Sequence, residues 1–129
     1  ELPFDIQAPL IELESIDYGI WYLDANEHPE HYHGKKIRFL AQVYKSGRLG
    51  SHAFVPGRFV MTCCEEDIQF LGYYCKCPKP VLYDQRDWVF VTVTFRYEYL
   101  KQYKGKGPVL YLEEILPAAK PDHNVVTFN

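Results

Sequence analysis

Cys63 and Cys64 stand side by side in Arg58-Phe59-Val60-Met61-Thr62-Cys63-Cys64-Glu65-Glu66-Asp67, directly before three acids. Thiolates bind soft metal ions and zinc, and a carboxylate oxygen can complete such a set. Cys63, Cys64 and Asp67 are the candidate ligands, with Glu65 as an alternative oxygen donor. Arg58 is a supporting charge that could pair with the acids. The competing reading is one buried structural cysteine and one unreactive surface cysteine, because free Cys behaves as a small hydrophobe. Strand alternation carried through Cys63 and Cys64 would put one thiol on the core face and the other on the solvent face. A third use of a vicinal pair is thiol redox sensing. A disulfide between neighbours would be strained.

Cys75-Lys76-Cys77 invites a four-cysteine zinc site with the first pair, but the geometry opposes it. If Glu65–Asp67 turn a hairpin, Cys75 lies on the order of 20 Å along the return strand. The Cys-x-Cys spacing also departs from Cys-x-x-Cys. His28, His31 and His33 form a second polar cluster, or simply a solvated loop before a strand. His52, in the loop before the second strand, is a candidate fourth ligand for the cysteines. Lys101, Lys104 and Lys106, beside Tyr99 and Tyr103, could grip a single strand of nucleic acid or form a solvated hairpin tip. Trp88, Phe90, Phe95, Tyr97 and Tyr99 read as packing residues. There is no Gly-x-Ser-x-Gly, no phosphate-cradling glycine loop and no His-Glu-x-x-His. No nucleophile, base and orienter stand together, so an enzyme is not expected.

The elements that must position these residues are mostly strands. A short helix is expected after Ser15, with Ser15 as its cap, Asp17 in its first turn and Ile16, Ile20 and Leu23 on one apolar face. Lys36–Tyr44 alternates Ile37, Phe39, Ala41 and Val43 with polar residues, a strand with one buried face. Residues 46–57, with Gly47, Gly50, Pro56 and Gly57, read as a loop. Strands are expected over Arg58–Cys64, Gln69–Cys75, Trp88–Tyr99 and Val109–Ile115, with a basic loop at Lys101–Pro108. Five strands, with a longer crossing before the fourth, match an all-β, OB-like five-stranded barrel with a short N-terminal helix; a small β-sandwich is the alternative.

The 129 residues fit one domain, and eleven Tyr, eight Phe and two Trp supply ample apolar area for its core. The expected division is a linker or cut end at 1–14, the domain at 15–117 and a tail at 118–129. The chain opens on Glu1 and carries no apolar run long enough for a bilayer, so it reads as a soluble piece of a longer protein. A net charge of −3 disfavours a general nucleic-acid binder. Four cysteines in an aromatic-rich domain do not demand disulfides.

Three segments together resemble the C-terminal soluble domain of the YcgQ-like permease-subunit family, which is bacterial and membrane-anchored. They are Tyr32, Gly34 and Lys35; Phe54-Val55 with Arg58-Phe59-Val60, Thr62-Cys63-Cys64 and Asp67; and Asp87-Trp88-Val89. The resemblance spans most of residues 15–117, and the Arg-Phe-Val…Thr-Cys-Cys segment is its specific part. It implies an OB-like domain, tethered to the membrane in the full protein, that works with a separate integral-membrane permease subunit; the residues do not fix the side of the membrane, and the extracytoplasmic side is the expectation. It implies no activity. Two departures stand out. Glu66 replaces a small residue before the Asp, and the tail Val125–Asn129 is not aromatic-rich. The expected function is a non-enzymatic accessory domain that binds a ligand, such as a zinc or other soft metal ion, or docks on the permease. The alternatives are a single-stranded nucleic-acid module and a thiol redox sensor.

Overall fold

The computed structural model describes residues 1–128 of the chain. It is mostly β, with one short helix and a single mixed sheet of eight strands. The strands are β1 (Leu10–Glu12), β2 (Lys36–Tyr44), β3 (Ala53–Met61), β4 (Ile68–Gly72), β5 (Cys75–Lys76), β6 (Trp88–Leu100), β7 (Gly105–Pro117) and β8 (Val125–Thr127). The helix α1 spans Tyr18–Glu27.

The alternation in β2 behaves as the sequence predicts: Ile37, Phe39, Ala41 and Val43 are all buried. β2 pairs antiparallel with β6 over Lys36–Gln42, and β6 pairs antiparallel with the long β7. β7 then lies parallel to β5, β5 pairs with β3, and β3 returns to β2. These pairings close a ring of five strands. A three-residue strand is added at each extreme of the chain. β1 runs parallel to β2, and β8 runs parallel to β3.

β3 begins five residues earlier than expected and ends three earlier. Its first part serves β5 and β2, and its second part serves β4 and β8. Pro56 and Gly57, expected in a loop, sit at this changeover. A proline is tolerated where ladder hydrogen bonding is interrupted, and Val43 there sends its N–H to the Asp87 carbonyl instead. The expected return strand is split into β4 and β5. Between them Tyr73 turns into the core, and the split lets β5 bridge β3 and β7. β7 also starts before the expected Val109, so the basic loop shrinks to one turn over Lys101–Tyr103 and Lys104, which has a left-handed φ of 57°.

The helix buries a different face from the expected one. Tyr18, Trp21 and Ala25 are fully buried, at i, i+3 and i+7, while Ile16 and Leu23 are exposed. The two large rings cover more of the sheet than the aliphatic stripe would. Trp21 packs 5.2 Å from Phe39, 5.5 Å from Tyr18 and 5.6 Å from Tyr73, centroid to centroid. The Tyr18 hydroxyl can be buried because it donates to the Leu71 carbonyl at 2.7 Å. Glu14, not Ser15, caps the turn that leads into α1, and Asp17 Oδ2 accepts from the Glu14 N–H at 3.3 Å. No helix among the described residues is long and apolar enough to cross a membrane.

Candidate metal centre

Met61 is the last paired residue of β3, facing Ile68 in β4. The connection bends at 62–64 and makes one tight turn over Glu65–Asp67. The Asp67 N–H donates to the Cys64 carbonyl at 2.8 Å, and the Thr62 N–H donates to the Asp67 carbonyl at 3.2 Å. These bonds fold Asp67 back over the two cysteines.

Because β3 stops before Cys63, the strand alternation expected for the pair does not apply. Both cysteines are exposed, and neither is a core residue. Their thiols face the same carboxylate. Cys63 Sγ lies 2.6 Å from Asp67 Oδ2, Cys64 Sγ lies 3.6 Å from it, and the two sulfurs are 3.6 Å apart. One donor atom from each residue falls within 4.8 Å of the others. Glu65 supplies no atom to this group. The hydrogen bond to Asp67, then the one to Cys64, pushes the Cys63 thiol above its ordinary pKa. Glu66 is held below the usual carboxylate range, chiefly by a hydrogen bond from Cys64. This hydrogen bonding favours a protonated Cys63.

Arg58 does not pair with these acids. It is fully buried, its Nη1 donates to Ser15 Oγ at 2.7 Å, and its Nη2 donates to the His123 carbonyl at 3.3 Å. Its guanidinium carbon sits 5.0 Å from the centroid of the Trp88 ring. The reason is register: strand alternation from Met61 sends Arg58 inward, away from the end of the hairpin. Burial lowers its pKa. Arg58 ties β3 to Ser15 and to the segment before β8, and Ser15 spends its hydroxyl there.

The other candidates are dispersed. Cys75 pairs with Phe54, seven positions along β3 from Met61, which is about 20 Å of strand. Burial pushes its thiol well up, as expected of an inert core cysteine. The His52 carbonyl accepts from the Cys77 N–H at this same far end of β3, so His52 cannot be a fourth ligand to Cys63 and Cys64. His33 Nδ1 accepts from the Tyr97 N–H at 3.0 Å. Lys101, Lys104 and Lys106 are exposed, but Tyr103 is tied into the fold: its hydroxyl donates to the Pro108 carbonyl and accepts from the Tyr74 N–H. Tyr99 remains 63% exposed.

One residue escaped the sequence reading. Asp24 Oδ2 takes a hydrogen bond from Tyr32 at 2.6 Å and lies 2.7 Å from His31 Nδ1. The i, i+7 and i, i+8 spacings cross from α1 into the next turn, so only that turn's geometry reveals them.

The family model described as the DUF1980 C-terminal domain matches residues 3–127, nearly the whole chain. That description names no activity, ligand or partner, and it carries neither the permease-subunit association nor the Thr-Cys-Cys motif. No curated protein matches the chain.

Proposed function

We propose that this chain, which belongs to the DUF1980 C-terminal domain family, is a non-enzymatic accessory domain that binds zinc or a similar soft divalent ion at Cys63, Cys64 and Asp67. One observation carries the reading: two thiols and a carboxylate converge on a single exposed turn. Zinc–sulfur bonds of about 2.3 Å and zinc–oxygen bonds of about 2.1 Å give tetrahedral ligand–ligand edges of about 3.5–3.8 Å. Two of the three edges measure 3.6 Å already. The third, from Cys63 to Asp67, is a 2.6 Å hydrogen bond, which would open by about 1 Å once the proton is replaced by a cation.

The same electrostatics argue against redox sensing as the main role. Reactive cysteines have depressed pKa values, and Asp67 acts in the opposite direction on Cys63. A bound dication reverses that effect and favours the thiolate. Three protein ligands leave one tetrahedral position open toward solvent, where water or a donor from a partner could complete the shell. This suits a domain that presents a metal ion or docks through it. Our reading places the domain beside an integral-membrane permease subunit, tethered to the membrane in the longer protein. The support for that placement is the resemblance of Arg58–Cys64 and its flanking segments to the YcgQ-like family. For the fold, the five-strand ring with its one parallel closure, β5 to β7, favours an OB-type arrangement over a sandwich.

The test is calorimetric titration of reduced, untagged protein with Zn²⁺. Cys63→Ser, Cys64→Ser and Asp67→Asn should each weaken one site by at least about tenfold, with the far-UV circular dichroism unchanged. Equal affinity in all three variants would refute the assignment.

A further inference from the structure

We infer that the chain carries a second cation site of different chemistry, an imidazole–carboxylate site for a zinc-like divalent ion at His28, Glu30 and His31. The turn Pro29–His31 follows directly on α1 and gathers the three side chains. One ring nitrogen of each histidine and one Glu30 oxygen lie within 4.8 Å of one another. His28 Nδ1 and Glu30 Oε2 are 3.3 Å apart. Bonds of about 2.0–2.1 Å to nitrogen and oxygen make a tetrahedral edge of about 3.3–3.4 Å. The two imidazoles stand 5.1 Å apart, nearly parallel.

A second, independent feature points to a ligand. His31 Nδ1 lies 2.7 Å from Asp24 Oδ2, and the Tyr32 hydroxyl fixes that same oxygen at 2.6 Å. Tyr32 is buried, and its hydroxyl donates to that Asp24 oxygen. Asp24 is itself largely sheltered, its side chain being 14% exposed. A carboxylate that accepts from Nδ1–H sets the tautomer in which Nε2 carries the free lone pair. This is the arrangement that metal-binding histidines use. Asp24 is thus a positioning residue and His31 Nε2 the ligand atom. His33 is not part of the set: its Nδ1 accepts from the Tyr97 N–H, which leaves the ring proton on Nε2. The site shares no residue with the thiolate turn, so either assignment can fail while the other stands.

The test uses the full, untagged chain in a Cys63→Ser/Cys64→Ser background, which removes the thiolates. Zn²⁺ alone is titrated and followed by calorimetry. One equivalent should still bind. His28→Ala and His31→Ala should each weaken it by at least about tenfold, and Asp24→Asn by about 10–100-fold. His33→Ala should leave it unchanged. The imidazole ¹⁵N shifts of His31 should show the Nδ1–H tautomer before zinc is added, and should lose that signature in Asp24→Asn. His28 is exposed, so His28→Ala keeps the fold. No zinc bound in the Cys63→Ser/Cys64→Ser background, or binding indifferent to His28→Ala and His31→Ala, overturns the inference.

Discussion

Gly57→Ala probes the frame that carries the thiolate turn. Gly57 faces Gly72 across the β3–β4 ladder, at the start of the hairpin that ends in Cys63, Cys64 and Asp67. A Cβ on Gly57 would stand 2.6 Å from the Leu71 carbonyl oxygen and 2.8 Å from two atoms of the Phe70 ring. The ring can rotate away, but the carbonyl belongs to the ladder. Overpacking of this kind costs about 1–3 kcal/mol. With about 2.1 cal/mol/K of unfolding entropy per residue over 129 residues, that is a fall in Tm of about 4–11 °C. Gly47→Ala is the control: its Cβ meets nothing within 4 Å, its φ is not positive, and it should shift stability by no more than about 0.5 kcal/mol. Thermal and urea unfolding, followed by circular dichroism, read both variants against wild type. A Gly57→Ala protein as stable as Gly47→Ala would refute the close approach of β3 and β4, and with it the placement of the turn.

Other outcomes follow from the same contacts. Asp67→Asn removes the main cause of the raised Cys63 pKa, so the pH midpoint of Cys63 alkylation should move down; an unmoved midpoint contradicts the 2.6 Å contact. Arg58→Ala should cost about 2–5 kcal/mol in urea unfolding through lost packing and hydrogen bonds, while leaving zinc affinity unchanged. An affinity loss at preserved stability would return Arg58 to the site. Trp21→Ala should cost about 3–5 kcal/mol, and a loss below about 1 kcal/mol would mean that α1 packs by another face.

Long, regular strands were readable from the chain. The alternation from Lys36 to Tyr44 and the β-branched and aromatic run from Trp88 onward give the strands that the structure shows. β1 and β8 were not readable, because three residues carry no usable period and their partners are distant in sequence. On α1 an aliphatic stripe competes with an aromatic one, and only the sheet beneath decides which faces inward. At the candidate site, the grouping of Cys63, Cys64 and Asp67 was legible from spacing alone. The exposure of both thiols was not, because it depends on β3 ending at Met61. Arg58 looked like part of the acid cluster from its proximity in sequence, yet alternation along β3 buries it. The Asp24–His31 pair depends on how a turn follows the helix, and no local pattern marks it.

Thiolates of Cys63 and Cys64 are the proposed ligands of the divalent metal ion. The most direct measurement is the ultraviolet and visible absorption of reduced protein titrated with Co²⁺, beside the Cys63→Ser/Cys64→Ser variant. Sulfur-to-cobalt charge-transfer bands should saturate at one equivalent in the wild type and vanish in the variant. Cobalt binding to the wild type without those bands, or bands unchanged in the variant, would contradict that ligation.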